Sequence, residues 1–266
     1  MSSDSLQMVW PGGSSVAAFV AIVVAVSTML VWAVRRAFVD QGTALANRRA
    51  VLAAGAVVVL LAGTALAARA GLFARMMGKP AVLAYPLAVN ALVLLAAFSP
   101  LGRRLATLPL GALVMFHAFR LPLELVLHAW YTAGAVPIQM TYSGQNLDLV
   151  TGISSVLVGA VALRRPAAAR PLVWAFNVIG TVLLLNVMRI AVGSLPSPLR
   201  TFADGPPLML PFSAPFTWIV PLAVGPALLG HIVLFRALIG RGPDVRSLAV
   251  GVGLKRGHLP GQITSK

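Results

Sequence analysis

The chain has 266 residues, 59% of them hydrophobic and only 10% charged, with a formal net charge of +15. Soluble domains carry about 25% charged residues, so a soluble globular enzyme, a disordered chain and a nucleic-acid-binding domain are excluded. The absence of cysteine also removes disulfides, thiolate metal sites and cysteine nucleophiles.

A membrane span needs about 20 mostly apolar residues. Runs of that kind lie near 14–34, 50–68, 81–99, 107–133, 148–163, 171–193 and 214–238, the fifth being the shortest. None alternates with period 2, which excludes an outer-membrane barrel. Unpaired backbone is not tolerated in lipid, so each run is predicted to be a helix. The fold class is therefore all-α, a polytopic transmembrane bundle of about seven spans. With no long polar insertion, residues 1–238 read as one transmembrane domain. Residues 239–266 read as a basic, disordered cytoplasmic tail.

The first run is preceded by no Lys or Arg and followed by Arg35 and Arg36. A cleaved signal peptide has the opposite order, so the run is expected to be a retained span with its N-terminus outside. The remaining basic residues agree. With Arg35 and Arg36 counted, fifteen, including Arg103, Arg104, Arg164, Arg165, Arg170 and the tail, fall on one side, against Arg69, Arg75, Lys79 and Arg200 on the other. The asymmetry predicts a cytoplasmic C-terminus. Residues 69–79 dissent, and their apolar Leu72, Phe73, Met76 and Met77 suggest a short interfacial helix.

The fourth run holds the chemistry. Ionisable residues inside a span are costly and are functional candidates by default. His117, Arg120, Glu124 and His128 fall within an arc of about 80° at 100° per residue, a polar seam that must face the bundle interior. The sixth run adds Asn177, Asn186 and Arg189. Counted from the inner ends, Glu124 and Arg189 lie at similar depths, about 26 and 27 Å, and could meet. The fifth run starts at Asp148. The candidate substrate or proton pathway is thus His117, Arg120, Glu124, His128, Asp148, Asn186 and Arg189. Two other readings stand beside it. A balanced Arg–Glu–Arg–Asp cluster can simply lock helices together. A metal or haem site on His117 and His128 would need ligands from other helices, because the two are about 16 Å apart along the helix.

The loop 136–148 is free of Lys and Arg, and its Asn146 or Asp148 is placed to cap the fifth span. The next outer loop carries Pro196, Pro198, Pro206, Pro207, Pro211 and Pro215, which predicts a stiff lid or connector. Phe216 and Trp218 suit an interfacial belt. His231, in the last span, reads as a satisfied core histidine. That span has no lysine for a retinal Schiff base, and no nucleotide, zinc-protease or serine-hydrolase motif is present.

Residues 119–127 (FRLPLELVL), 140–148 (MTYSGQNLD) and 215–218 (PFTW) resemble a family of uncharacterised bacterial multi-pass inner-membrane proteins. The resemblance covers roughly 112–238 and departs from the family pattern at Ser143 and Gln145, where that pattern has an acidic and a basic residue. It implies a bacterial inner membrane and no particular activity. The expected function is a small-solute or proton-coupled transporter. The alternatives are a non-catalytic subunit or receptor that binds through its outer loops, and a membrane enzyme with Glu124 and His128 as acid and base. The expected partners are the lipid bilayer and, beyond it, a protein partner or a second copy of the chain, with no nucleic acid. No motif names a cofactor.

Overall fold

The computed structural model describes residues 8–240; of the tail expected over 239–266, residues 239 and 240 end the last helix and 241–266 lie outside the described residues. The described chain is all-helical, with no strand. Helix α1 spans Gly13–Ala37 and turns back through a 3-10 segment into α2, Thr43–Arg69. Pro80–Leu83 leads into α3, Ala84–Phe98, and Ser99 starts the short α4, Pro100–Leu105, by accepting from the backbone N–H of Leu101. Then come α5, Leu110–Met115, and α6, Arg120–Thr132, joined by a 3-10 segment over Phe116–Phe119. Helix α7 is Asp148–Arg164, α8 is Arg170–Ser194, and α9 is Gly225–Gly240, entered through a π-helical turn at Val220–Val224 that contains Pro221.

Six helical stretches are long and apolar enough to cross a membrane: Gly13–Ala37, Thr43–Arg69, Pro80–Phe98, Leu110–Thr132, Arg170–Ser194 and Phe216–Gly240. The seventh, α7, has 17 residues and reaches about 25 Å at 1.5 Å per residue. It is the run expected to be shortest. Burial ranks the stretches. In Leu110–Thr132 and in Phe216–Gly240, 61% of the apolar window is buried, against 11–33% in the other four. The fourth and last spans therefore form the centre, and the helix carrying the polar seam is an interior one.

Close approach of α7 to that central helix depends on glycine. A Cβ at Gly152 would lie 2.6 Å from the backbone nitrogen of Leu121, and one at Gly159 would lie 2.2 Å from the Met115 side chain. Polar side chains stitch the rest. Trp130 Nε1 donates to Ser15 Oγ, Trp218 Nε1 donates to the Leu61 carbonyl, and the Tyr85 hydroxyl donates to the Thr217 carbonyl.

The core divides into two clusters. One, around Phe19, Trp130, Leu184, Leu210 and Phe216, lies at the end of the bundle that carries the loops 133–147 and 195–215. The other, around Val114, Val173, Leu234 and Leu238, fills the opposite half. The proline-rich loop does more than connect. Leu208, Leu210 and Phe212 are buried, and the backbone N–H of Leu208 donates to the Ser194 carbonyl, so the loop roofs the bundle. Residues 69–79 do not form the expected interfacial helix. Gly71 and Gly78 adopt positive φ, and only the 3-10 turn Ala74–Met76 lies between them. Phe73 instead folds inward onto Tyr85, ring centroids 4.6 Å apart.

Candidate functional site

The polar seam is built by α6 and completed by α7, α8, α9 and the 136–148 loop. Arg120 and Glu124 stand one turn apart on α6, each only 1% exposed. Arg120 grips Asp148 in a two-pronged ion pair. Its Nε donates to Oδ2 at 2.8 Å and its Nη2 donates to Oδ1. The third nitrogen, Nη1, lies 3.1 Å from His231 Nε2. His231 Nδ1 lies 2.9 Å from Asn177 Oδ1, and Asn177 Nδ2 donates to the His231 carbonyl. Arginine can only donate and an amide oxygen can only accept. The imidazole is therefore fixed as the neutral tautomer with its proton on Nδ1. Asp148, Arg120, His231 and Asn177 form one continuous hydrogen-bonded chain across four helices.

Glu124 is held differently. Asn146 Nδ2 donates to Glu124 Oε1 at 2.6 Å and to the Met140 carbonyl at 3.0 Å, while Asn146 Oδ1 accepts from the backbone N–H of Asp148. One loop asparagine thus starts α7 and positions Glu124 together. The other oxygen, Oε2, is buried with no hydrogen-bond partner. Buried polar atoms almost always have partners, so this one requires an explanation.

That explanation starts with a cavity of about 120 Å³, lined by Arg120, Glu124, Asn146, Asp148 and Asn90 on its polar side and by residues such as Leu184 elsewhere. By the same measure, about 10–15 Å³ admits one water and about 150 Å³ admits benzene. The cavity is therefore of small-molecule size. Its roof is the proline-rich loop, through Leu208, Pro211 and Phe212.

The expected site residues divide. Arg120, Glu124 and Asp148 come together at the cavity. His117 joins from beneath, fully buried, its ring centroid 4.2 Å from that of His231 and both its nitrogens without a partner. Notches opened by two glycines make room for the two imidazoles, whose planes are tilted by 32°. A Cβ at Gly180 would lie 2.6 Å from His231 Cε1, and one at Gly230 would lie 2.7 Å from His117 Nε2. His128 lies elsewhere, stacked on Tyr142 at 4.5 Å. Asn186 and Arg189 clamp the loop to α8: Asn186 donates to the Gln145 carbonyl, and Arg189 donates to Gln145 Oε1 and Asn186 Oδ1. Arg189 also covers the Phe202 ring at 5.5 Å on an exposed face. The carboxylate paired with Arg120 is Asp148, and the contact to Glu124 comes from Asn146 rather than from Arg189.

Residues outside the expected set complete the site: Asn146, Asn177, His231 and Asn90. Asn90 was detectable as the lone amide in the otherwise apolar run 81–99. Its Nδ2 donates back to the Pro86 carbonyl, which leaves Oδ1 buried and unpartnered. Among the described residues no group of three His, Asp or Glu side chains gathers as a metal site.

A helical bundle with an ion-paired interior and apolar outer faces is a multi-pass integral membrane protein. Residues 80–239, more than half of the chain, match the family model described as a domain of unknown function, DUF8737, and the chain belongs to that family. No curated protein and no solved structure matches it.

Proposed function

We propose that the protein is a proton-coupled transporter of a small solute, with Glu124 as the group that holds proton and solute in turn. One observation carries this reading: Glu124 Oε2 is buried and unpartnered at the wall of a cavity large enough for a small molecule. Arg120 does not neutralise Glu124 by a direct contact, because its nitrogens are engaged by Asp148 and His231. A proton or a solute group bound at Oε2 would satisfy it, and the two exclude each other. Such competition for one carboxylate is the simplest coupling between two gradients. The chain Asp148–Arg120–His231–Asn177 holds the fixed wall of the site, and the roof over 195–215 would be the part that opens. Below the site the opposite cluster is closely packed apolar residues, the arrangement expected of a site reached from one side at a time.

The basic-residue asymmetry supports an inner-membrane placement with the N-terminus outside and the C-terminus cytoplasmic, which puts the cavity in the outer half of a single membrane domain. A receptor or subunit role keeps one supporting observation, the exposed Arg189 beside the loop at Gln145. Liposomes carrying the purified protein and an internal pH dye separate the two roles. A panel of small solutes of positive, neutral and negative charge is added outside. At least one is expected to move protons through the wild type and not through Glu124→Gln. If no solute distinguishes them, the transporter reading falls and the subunit reading takes its place.

A further inference from the structure

We infer that the cavity binds a small primary ammonium ion with a compact apolar body. The inference rests on the reading of the cavity as a solute site and adds the chemical class of the solute.

Arg120 donates through all three nitrogens, to Asp148 and His231, and Asp148 accepts on both oxygens. Asn146 donates to Glu124 and Met140 and accepts from Asp148. Asn90 donates to Pro86, and the Tyr85 hydroxyl donates to Thr217. Two polar side-chain atoms of the wall are left without partners, Glu124 Oε2 and Asn90 Oδ1, and both are acceptors. Leaving a buried acceptor unmet is costly. What completes this wall must therefore supply N–H or O–H groups and bring no acceptor of its own to bury.

Charge narrows the class. Arg120 and Asp148 cancel, and Glu124 leaves one negative charge with no cation to pair with it directly. A single positive charge on the ligand balances the site, and a buried charge needs such a partner. A primary ammonium combines the charge with three donors, more than the two open oxygens require. The rest of the wall is apolar and partly aromatic, with Phe119, Phe212 and Tyr85 among its residues. Rings of this kind accept alkylammonium groups on their faces. The volume of about 120 Å³ sets the size near that of benzene.

The test uses the full chain in nanodiscs of phosphatidylcholine, a lipid without a primary amine. Binding of n-butylammonium, butan-1-ol, butyrate and tetramethylammonium is measured by calorimetry and by the shift in melting temperature. Butylammonium should bind. The alcohol, which lacks the charge, and tetramethylammonium, which lacks the donors, should each bind at least about tenfold more weakly, since a charged hydrogen bond contributes about that much. Butyrate should not bind. Glu124→Gln should weaken butylammonium by roughly 10- to 100-fold. Asn90→Leu, which leaves the charge in place, should weaken it by about tenfold or less. Equal binding of alcohol and amine, or undiminished amine binding in both variants, overturns the inference and leaves water as the occupant. The wild-type comparison among the four probes needs no variant to fold. Flux of butylammonium into liposomes separates the two claims. Binding without flux above protein-free liposomes sinks the transporter reading and leaves the ligand class standing. Glu124-dependent proton flux with another solute, and no amine binding, does the reverse.

Discussion

The two halves of the bundle use arginine in opposite ways. In the half away from the loops, Arg170 donates to the Leu238 carbonyl at the end of α9, and Arg236 donates to the carbonyls of Ala97 and Ser99 at the end of α3. Arg104 meets Asp40 at a partly exposed rim. These guanidiniums satisfy helix ends that would otherwise leave carbonyls open, and the interior they enclose is Val, Leu, Ala and Phe. In the loop half the guanidinium of Arg120 is inside, paired with Asp148, and a second carboxylate, Glu124, is buried beside them with one oxygen open. Charge at the first end closes helices. Charge at the second exceeds what closing the structure requires, and that surplus marks the end where a ligand is expected.

The contrast breaks most severely at Asp148. Asp148→Leu strands Arg120 in an apolar interior, and breaking a buried pair costs about 3–5 kcal/mol. The variant should give little folded protein and a large drop in melting temperature in detergent. Arg120→Leu added to it should recover part of the loss, because coupled sites are not additive and an apolar pair is often tolerated where an ion pair stood. A double variant no better than the single one would show that Arg120 does not depend on Asp148.

Next in size is the imidazole notch. Gly180→Ala puts a Cβ 2.6 Å from His231 Cε1, so the ring must shift and loosen its contact with Arg120. Overpacking of this kind costs about 1–3 kcal/mol. Melting temperature should fall by less than in the Asp148 variant, and the affinity for a bound solute should fall with it. An unchanged melting temperature would mean that the chain Asp148–Arg120–His231 is not rigid. In the opposite half, Arg236→Ala removes donors from two helix-end carbonyls, each worth about 1 kcal/mol where exposure to water does not replace them. It should lower stability modestly and leave solute affinity untouched. A loss of binding there would erase the distinction between the two halves.

Much of this was legible in the chain. Seven apolar runs gave the bundle, and helical spacing aligned Arg120 with Glu124, an alignment that holds because the 3-10 segment ends at Phe119, before both. Asn186 and Arg189 show where spacing was available and unused. The buried residues of α8 include Val173, Phe176, Asn177, Gly180, Leu184, Val187 and Ile190. At 100° per residue Arg189 falls on the opposite side of α8 from the middle of that stripe, and Asn186 just beyond its Ile190 edge, so depth alone was a poor guide to whether Arg189 could reach Glu124. The pairing of His231 with Asn177 joins residues 54 apart, which no local periodicity encodes. The double role of Asn146 was half visible: an asparagine near a helix start predicts a cap, but not that the same amide steadies a glutamate from another helix.

Glu124→Gln should cost the least stability and is the sharpest test of the comparison. Glutamine has the same shape and keeps a carbonyl oxygen to accept from Asn146. The group it replaces at Oε2 has no partner, so no existing hydrogen bond is broken. The amide nitrogen that takes its place is an unpartnered donor instead of an unpartnered acceptor. The desolvation penalty is of the same kind, and the charge is gone. The net change in stability should stay within about 1 kcal/mol, well below that of Asp148→Leu. Melting curves of the two variants, measured side by side in the same detergent, read this directly. If Glu124→Gln falls as far as the Asp148 variant, Glu124 is part of the lock that holds the helices together, and its open oxygen is a structural accident rather than the place where a ligand docks. If it melts with the wild type and has lost solute-dependent proton flux, the carboxylate is carried for its chemistry, since the fold does not need its charge.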